Sequence, residues 1–160
     1  MTIQRGDLIF VKNKGFLFDK IRKLLNCEYD HIGIMLTDNT LIDATPFKGV
    51  AVRSLKEFYN CNVAFYRLKE DYRKHIEDML SYCSSNVGCK YDLLQIISLY
   101  FLIIFNIKKT FDPLDIARAF VCSELIAQAA EFSGFKFNSY IATDRLTPTD
   151  IQYSEVLERV

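Results

Sequence analysis

The stretch from His31 to Thr45 constrains the fold most. Two runs, His31–Leu36 and Thr40–Thr45, alternate apolar side chains with others and are split by Thr37, Asp38 and Asn39, which predicts a β-hairpin. A three-residue loop, with Asn39 in the left-handed conformation such loops need, pairs Leu36 with Thr40 and Gly33 with Asp43. That register gathers Ile32, Ile34, Leu36, Ile42 and Ala44 on one face and leaves His31 and Asp43 together on the other. A two-residue loop would shift the pairing by one and separate His31 from Asp43, so the apolar pattern selects the longer loop. Diagonal neighbours on one face lie roughly 7–8 Å apart, within reach of an imidazole and a carboxylate, and Gly33 leaves room beside them. Taken alone, the hairpin reads equally as a base with its orienting acid or as a polar sheet edge.

Around this hairpin the first half of the chain offers further strand-like runs at Asp7–Val11, Val50–Arg53 and Val63–Leu68, with a short amphipathic helix over Phe16–Asn26. The second half reads as helices: Asp71–Ser84, Asp92–Ile107, and a segment from Cys122 to Ser133 that Gly134 would stop. Strands followed by helices predict an α+β fold. No repeat, low-complexity tract or linker divides residues 1–160, so one domain is expected. Half of the residues are apolar, enough to close a core, and 20 basic side chains balance 20 acidic ones, which argues against a nucleic-acid partner.

Five cysteines at irregular spacing, with no CxxC pair, read as free thiols rather than a zinc or redox site. The opening Met1–Gly15 lacks the basic start, apolar run and cleavage site of a secretory signal, so a cytoplasmic location is expected. Leu93–Ile107 is almost wholly apolar but falls short of the roughly 20 residues a bilayer span needs. A helix buried against the sheet is its plainer reading; an apolar wall or lid meeting a lipid-like substrate, with peripheral membrane contact, is the other.

The chain has two histidines. His75 lies in a charged helical stretch and reads as a surface imidazole, which leaves His31 as the candidate base. Cys122 stands on the strongly helical stretch that contains Val121, Leu125, Ile126, Ala129 and Ala130. A free cysteine on such a helix is usually a small core residue. A histidine paired with an acid elsewhere, together with a place near the helix start, where backbone N–H groups favour a thiolate, raises it to candidate nucleophile. No capping box fixes that start, and a helix beginning at Asp115 would weaken the dipole argument.

Several short motifs then occur in a telling order: Gly6-Asp7-Leu8-Ile9-Phe10, His31-Ile32-Gly33-Ile34, Leu41-Ile42-Asp43-Ala44, Gly49-Val50, Tyr91-Asp92, Cys122-Ser123-Glu124-Leu125, and the Arg145–Ile151 segment near the end. In this order the chain resembles the circularly permuted branch of the NlpC-type papain-like hydrolases, related to the lecithin:retinol acyltransferase group. The resemblance implies a papain-like fold with a small antiparallel sheet or barrel packed on helices, and an active site in which histidine precedes cysteine. It departs from the family at Asp43, where glutamate is commoner. By the same resemblance Tyr91 matches a tyrosine that stands near the nucleophile and helps hold the oxyanion, and it reads equally as a packed Tyr at a helix start. Ser123 and Glu124 take structural roles, and Cys27, Cys61, Cys83 and Cys89 are bystanders.

The expectation is therefore a cysteine peptidase or amidase-type hydrolase with Cys122 as nucleophile, His31 as base and Asp43 as orienter. It would act on a peptide, peptidoglycan-type, acyl-amide or lipid-ester bond and require no metal or organic cofactor. Its rivals are a lipid acyltransferase or thioesterase, favoured if Leu93–Ile107 lines the site, and a binding module that kept the fold without the chemistry. Oligomeric state is not legible in the sequence.

Overall fold

The protein's structure, a computed structural model, describes residues 2–45, 48–90 and 121–160. Tyr91, the apolar stretch Leu93–Ile107 and the approach to Val121 lie outside these residues.

The strands are β1 (Leu8–Lys12), β2 (His31–Met35), β3 (Thr40–Thr45), β4 (Gly49–Ser54), β5 (Asn62–Leu68) and β6 (Leu157–Arg159). They form one antiparallel sheet in the order β4-β3-β2-β1-β5-β6. The helices are α1 (Phe16–Leu25), α2 (Ile76–Ser85), α3 (Val121–Phe132) and α4 (Pro148–Gln152). This is an α+β fold, and between the sheet and barrel expected from the motifs it is the open sheet, with β4 and β6 as its edges.

The hairpin has the register that the alternation demands: Gly33 faces Asp43, Ile34 faces Ile42, and the Leu36 N–H donates to the Thr40 carbonyl at 2.9 Å. Its loop, however, does not use a left-handed Asn39, because Asn26 is the one described non-glycine residue with positive φ. The Thr37 hydroxyl does the work instead, accepting from the Asn39 N–H at 3.2 Å and the Thr40 N–H at 3.1 Å.

Period-two alternation divides the core between the two faces of the sheet. On one face Leu8, Phe10, Ile32, Ile34, Ile42 and Ala44 pack with Met79, Leu80 and Cys83 of α2 and with Leu125, Ile126, Ala129 and Ala130 of α3. Each fully buried Ile or Leu there stabilises the fold by about 1.5–3 kcal/mol. The other face carries a smaller cluster of Ile9, Val11, Met35 and Leu41, closed by Leu55 and Phe58. His31, Gly33 and Asp43 belong to this second face by register, since Val11 pairs His31 and Ile9 pairs Gly33.

Gly49 is required where β4 begins: its φ is +68° and a Cβ would stand 2.1 Å from the Cys89 carbonyl oxygen. That oxygen accepts from the Val50 N–H at 3.0 Å, tying the edge strand to the segment after α2. Gly134 stops α3 as expected, with φ +99° and the Phe135 N–H returning to the Ala130 carbonyl at 3.0 Å.

Two elements differ from the sequence expectation. The single helix expected over Asp71–Ser84 is a 3₁₀ segment, Glu70–His75, followed by α2, because the charged segment fully buries no side chain and Met79 is the first residue to be fully buried. The strand β6 was not expected, since Leu157–Arg159 is too short and too charged to show an alternation.

Candidate active site

His31 opens β2 and Asp43 lies near the middle of β3, and the register sets them diagonally across Gly33. The His31 Nε2 lies 2.7 Å from Asp43 Oδ2, in a setting where Asp43 has no exposure and His31 is 8% exposed. A Cβ on Gly33 would stand 2.7 Å from Leu41 Cδ1 and 3.2 Å from Asp43 Cβ, so glycine is what admits the pair. Phe58 stacks on the imidazole at 6.1 Å between centroids and 15° between planes.

Cys122 lies in the first turn of the described part of α3, and α3 packs against β2 and β3. Its thiol is buried and adjoins the His31 ring, to which it is electrostatically coupled. Burial opposes charge on the imidazole. The Cys122 sulfur and the Asp43 carboxylate outweigh it and push His31 up to about 10. At neutral pH the ring is therefore an imidazolium that donates from Nε2 to Asp43.

The structure thus brings Cys122, His31 and Asp43 together, while Tyr91 lies outside the described residues. The neighbours of Cys122 in the chain anchor the helix: the Ser123 hydroxyl donates to the Leu146 carbonyl. Gln128 donates to Glu124 at 2.9 Å and accepts from the Tyr82 hydroxyl of α2, also at 2.9 Å. The other thiols are apart and free. Burial alone pushes Cys83 up to about 12, and burial with Asp30 pushes Cys27 up to about 11. His75 is half-buried against Tyr72 and Phe135 rather than lying free on the surface. Among the described residues no group of three or more His, Cys, Asp or Glu is arranged to hold a metal ion, and no helix is long and apolar enough to cross a membrane.

Two residues that sequence reasoning did not single out complete the surroundings. Arg53 of β4 donates from Nη1 to Asp43 Oδ2 at 2.9 Å, and its guanidinium lies 4.6 Å from the centre of the Phe58 ring. The signal was present in the β3–β4 pairing: with Asp43 opposite Ala51, residue 53 is the diagonal neighbour on the same face. Phe58 arrives on a 3₁₀ turn, Leu55–Phe58, that begins with a capping box between Ser54 and Glu57.

An open antiparallel sheet with a histidine–acid hairpin, and a cysteine-bearing helix laid against it, defines the class as a permuted papain-like hydrolase. The comparisons with known proteins specify it further. The chain belongs to the family described as permuted papain-like amidase enzymes, YaeF/YiiX, C92, whose model matches residues 2–98. The match takes in His31 and Asp43 and ends before Cys122. Among solved structures the chain is similar to the crystal structure of metalloprotein yiiX from Escherichia coli O157:H7. The TM-score is 0.58 at 14% identity, over 100% of this chain and 97% of that one, a likeness of fold. No curated protein matches the sequence.

Proposed function

We propose that the chain is a cysteine amidase in which Cys122, His31 and Asp43 form the catalytic set within a single domain, residues 1–160. The observation that supports it is one imidazole held between a thiol and a buried carboxylate, with its charge favoured by both. The Cys122 sulfur attacks the carbonyl carbon of an amide, and His31 gives its proton to the departing amine nitrogen, leaving an acyl-Cys122 thioester. Water then loses a proton to His31 and attacks the same carbon. The C–S bond breaks, the carboxylic acid leaves, and the proton on His31 restores the starting pair. Asp43 neither attacks nor carries the transferred proton; it fixes the imidazole's orientation and supports its charge. Peptide, peptidoglycan-type and acyl-amide bonds suit this chemistry, and an ester would follow the same route with an alcohol as leaving group.

The test is a panel of amide and ester acyl donors, with intact-mass detection of an acyl adduct and with water or added hydroxylamine as acceptor. Wild type should form an adduct that maps to Cys122 and is cleared by water alone. Turnover that persists in Cys122→Ala would end this reading.

A further inference from the structure

Asp43 is bonded in a lopsided way. Both of its donors, His31 Nε2 at 2.7 Å and Arg53 Nη1 at 2.9 Å, converge on Oδ2, while Oδ1 is buried without a hydrogen-bond partner among the described residues. A carboxylate serving only to anchor the strands would be expected to use both oxygens, because a buried acceptor left unpaired is costly. Arg53 is itself held by more than Asp43. Its Nε and Nη2 donate to Glu57 Oε2 at 3.1 and 2.9 Å, and its planar group rests on Phe58, the ring that also stacks on His31. Side-chain charges therefore alternate outward from the imidazolium: Asp43, Arg53, Glu57, and Lys48 at 3.7 Å from Glu57.

We infer that Arg53 is a positioning residue of this site, which fixes the Asp43 carboxylate and, by competing for the same oxygen, limits how tightly that carboxylate holds the His31 proton. This rests on the amidase reading, in which His31 must release that proton to the leaving group. Two donors on one oxygen share its electron density, so the bond to the guanidinium weakens the pull on the imidazolium. Arg53 is also the guanidinium paired with Asp43 in a place that solvent does not reach. The described groups that bear on His31 are Cys122 from α3 and Asp43 from β3, with Arg53 acting through Asp43. Asp30, its neighbour in the chain, is engaged with Arg22 and Asn13.

The inference gives a directional test that needs no substrate. The full chain is labelled with ¹³C,¹⁵N-histidine, His75 is assigned by a His75→Gln sample, and His31 ring protonation is read by NMR at the wild type's own midpoint, located first by titration. Cys122 and Asp43 raise that midpoint above an ordinary imidazole's. Arg53→Met should raise the protonated fraction from about one-half to about three-quarters or more, and Asp43→Asn should lower it below about one-quarter. Arg53→Gln, neutral but still polar, should rise as Met does and decides the matter if Met does not fold. Arg53→Lys, which restores the charge, should return toward wild type. A neutral Arg53 variant that folds yet leaves the ring unchanged or less protonated overturns the inference, as does a Lys variant indistinguishable from Met. Neither result touches the hydrolase reading, which fails separately if Cys122→Ala retains turnover.

Discussion

Cys83 of α2 and Cys122 of α3 are buried in the same apolar cluster, yet they occupy opposite electrostatic settings. Burial pushes the Cys83 thiol up to about 12, as befits a small inert core residue. Cys122 adjoins an imidazole whose own charge it helps to sustain against burial. The difference lies in what the hairpin delivers to the end of α3. In the proposed mechanism one polar neighbour distinguishes the two thiols, while burial is common to both.

The contrast breaks most easily by exchanging partners for alanine. Cys122→Ala and His31→Ala should each lower turnover on the wild type's amide substrate by roughly 10⁴-fold or more, since nucleophile and base act as a unit. Cys83→Ala should leave kcat within about twofold and lower stability alone, as expected of a core thiol. Steady-state kinetics beside thermal melts would separate these outcomes, and a crippled but well-folded Cys83→Ala would undo the contrast.

Asp43→Asn should have the next largest effect, slowing acylation by on the order of 10²–10⁴-fold with the fold intact by circular dichroism. The same variant sharpens the pH argument. His31 must be protonated to release the leaving group, so wild-type kcat/KM should fall as pH rises through about 10. Asp43 is one of the groups that raise His31, so its neutralisation should move that alkaline limb to lower pH. A limb that stays in place would assign the orienting role to another group.

Gly33→Ala probes the seating of the pair and should act less. The added methyl meets buried Leu41 and the Asp43 Cβ, so a loss of about 1–3 kcal/mol of stability is expected. Chemical denaturation measures it, and the accompanying fall in turnover should be smaller than for Asp43→Asn.

How much of this was legible in the sequence depended on the kind of constraint. The His31–Asp43 pairing could be read because period-two alternation leaves one register that buries Ile32, Ile34 and Ile42 together. The loop conformation could not, because a threonine hydroxyl can satisfy the turn as well as a left-handed asparagine, and only the fold records which was used. The Cys122 helix was visible from its apolar spacing, but its approach to His31 depends on how α3 lies on the sheet, a long-range property that spacing does not encode. Arg53 is not legible in the hairpin because it reaches Asp43 from a third strand, whose register the hairpin does not fix. The Thr147–Asp150 capping box that starts α4 was present in the sequence and could have located that helix.

The central claim, that His31 activates Cys122, is tested most directly by thiol labelling. The full chain is treated with limiting iodoacetamide at about pH 6, where unassisted thiols are almost wholly protonated, and the five cysteines are quantified by peptide mass spectrometry. Cys122 should label first despite its burial, ahead of the exposed Cys89, and His31→Ala should abolish that lead while leaving Cys89 unchanged. Labelling of Cys122 that trails Cys89, or that is indifferent to His31→Ala, would contradict the account.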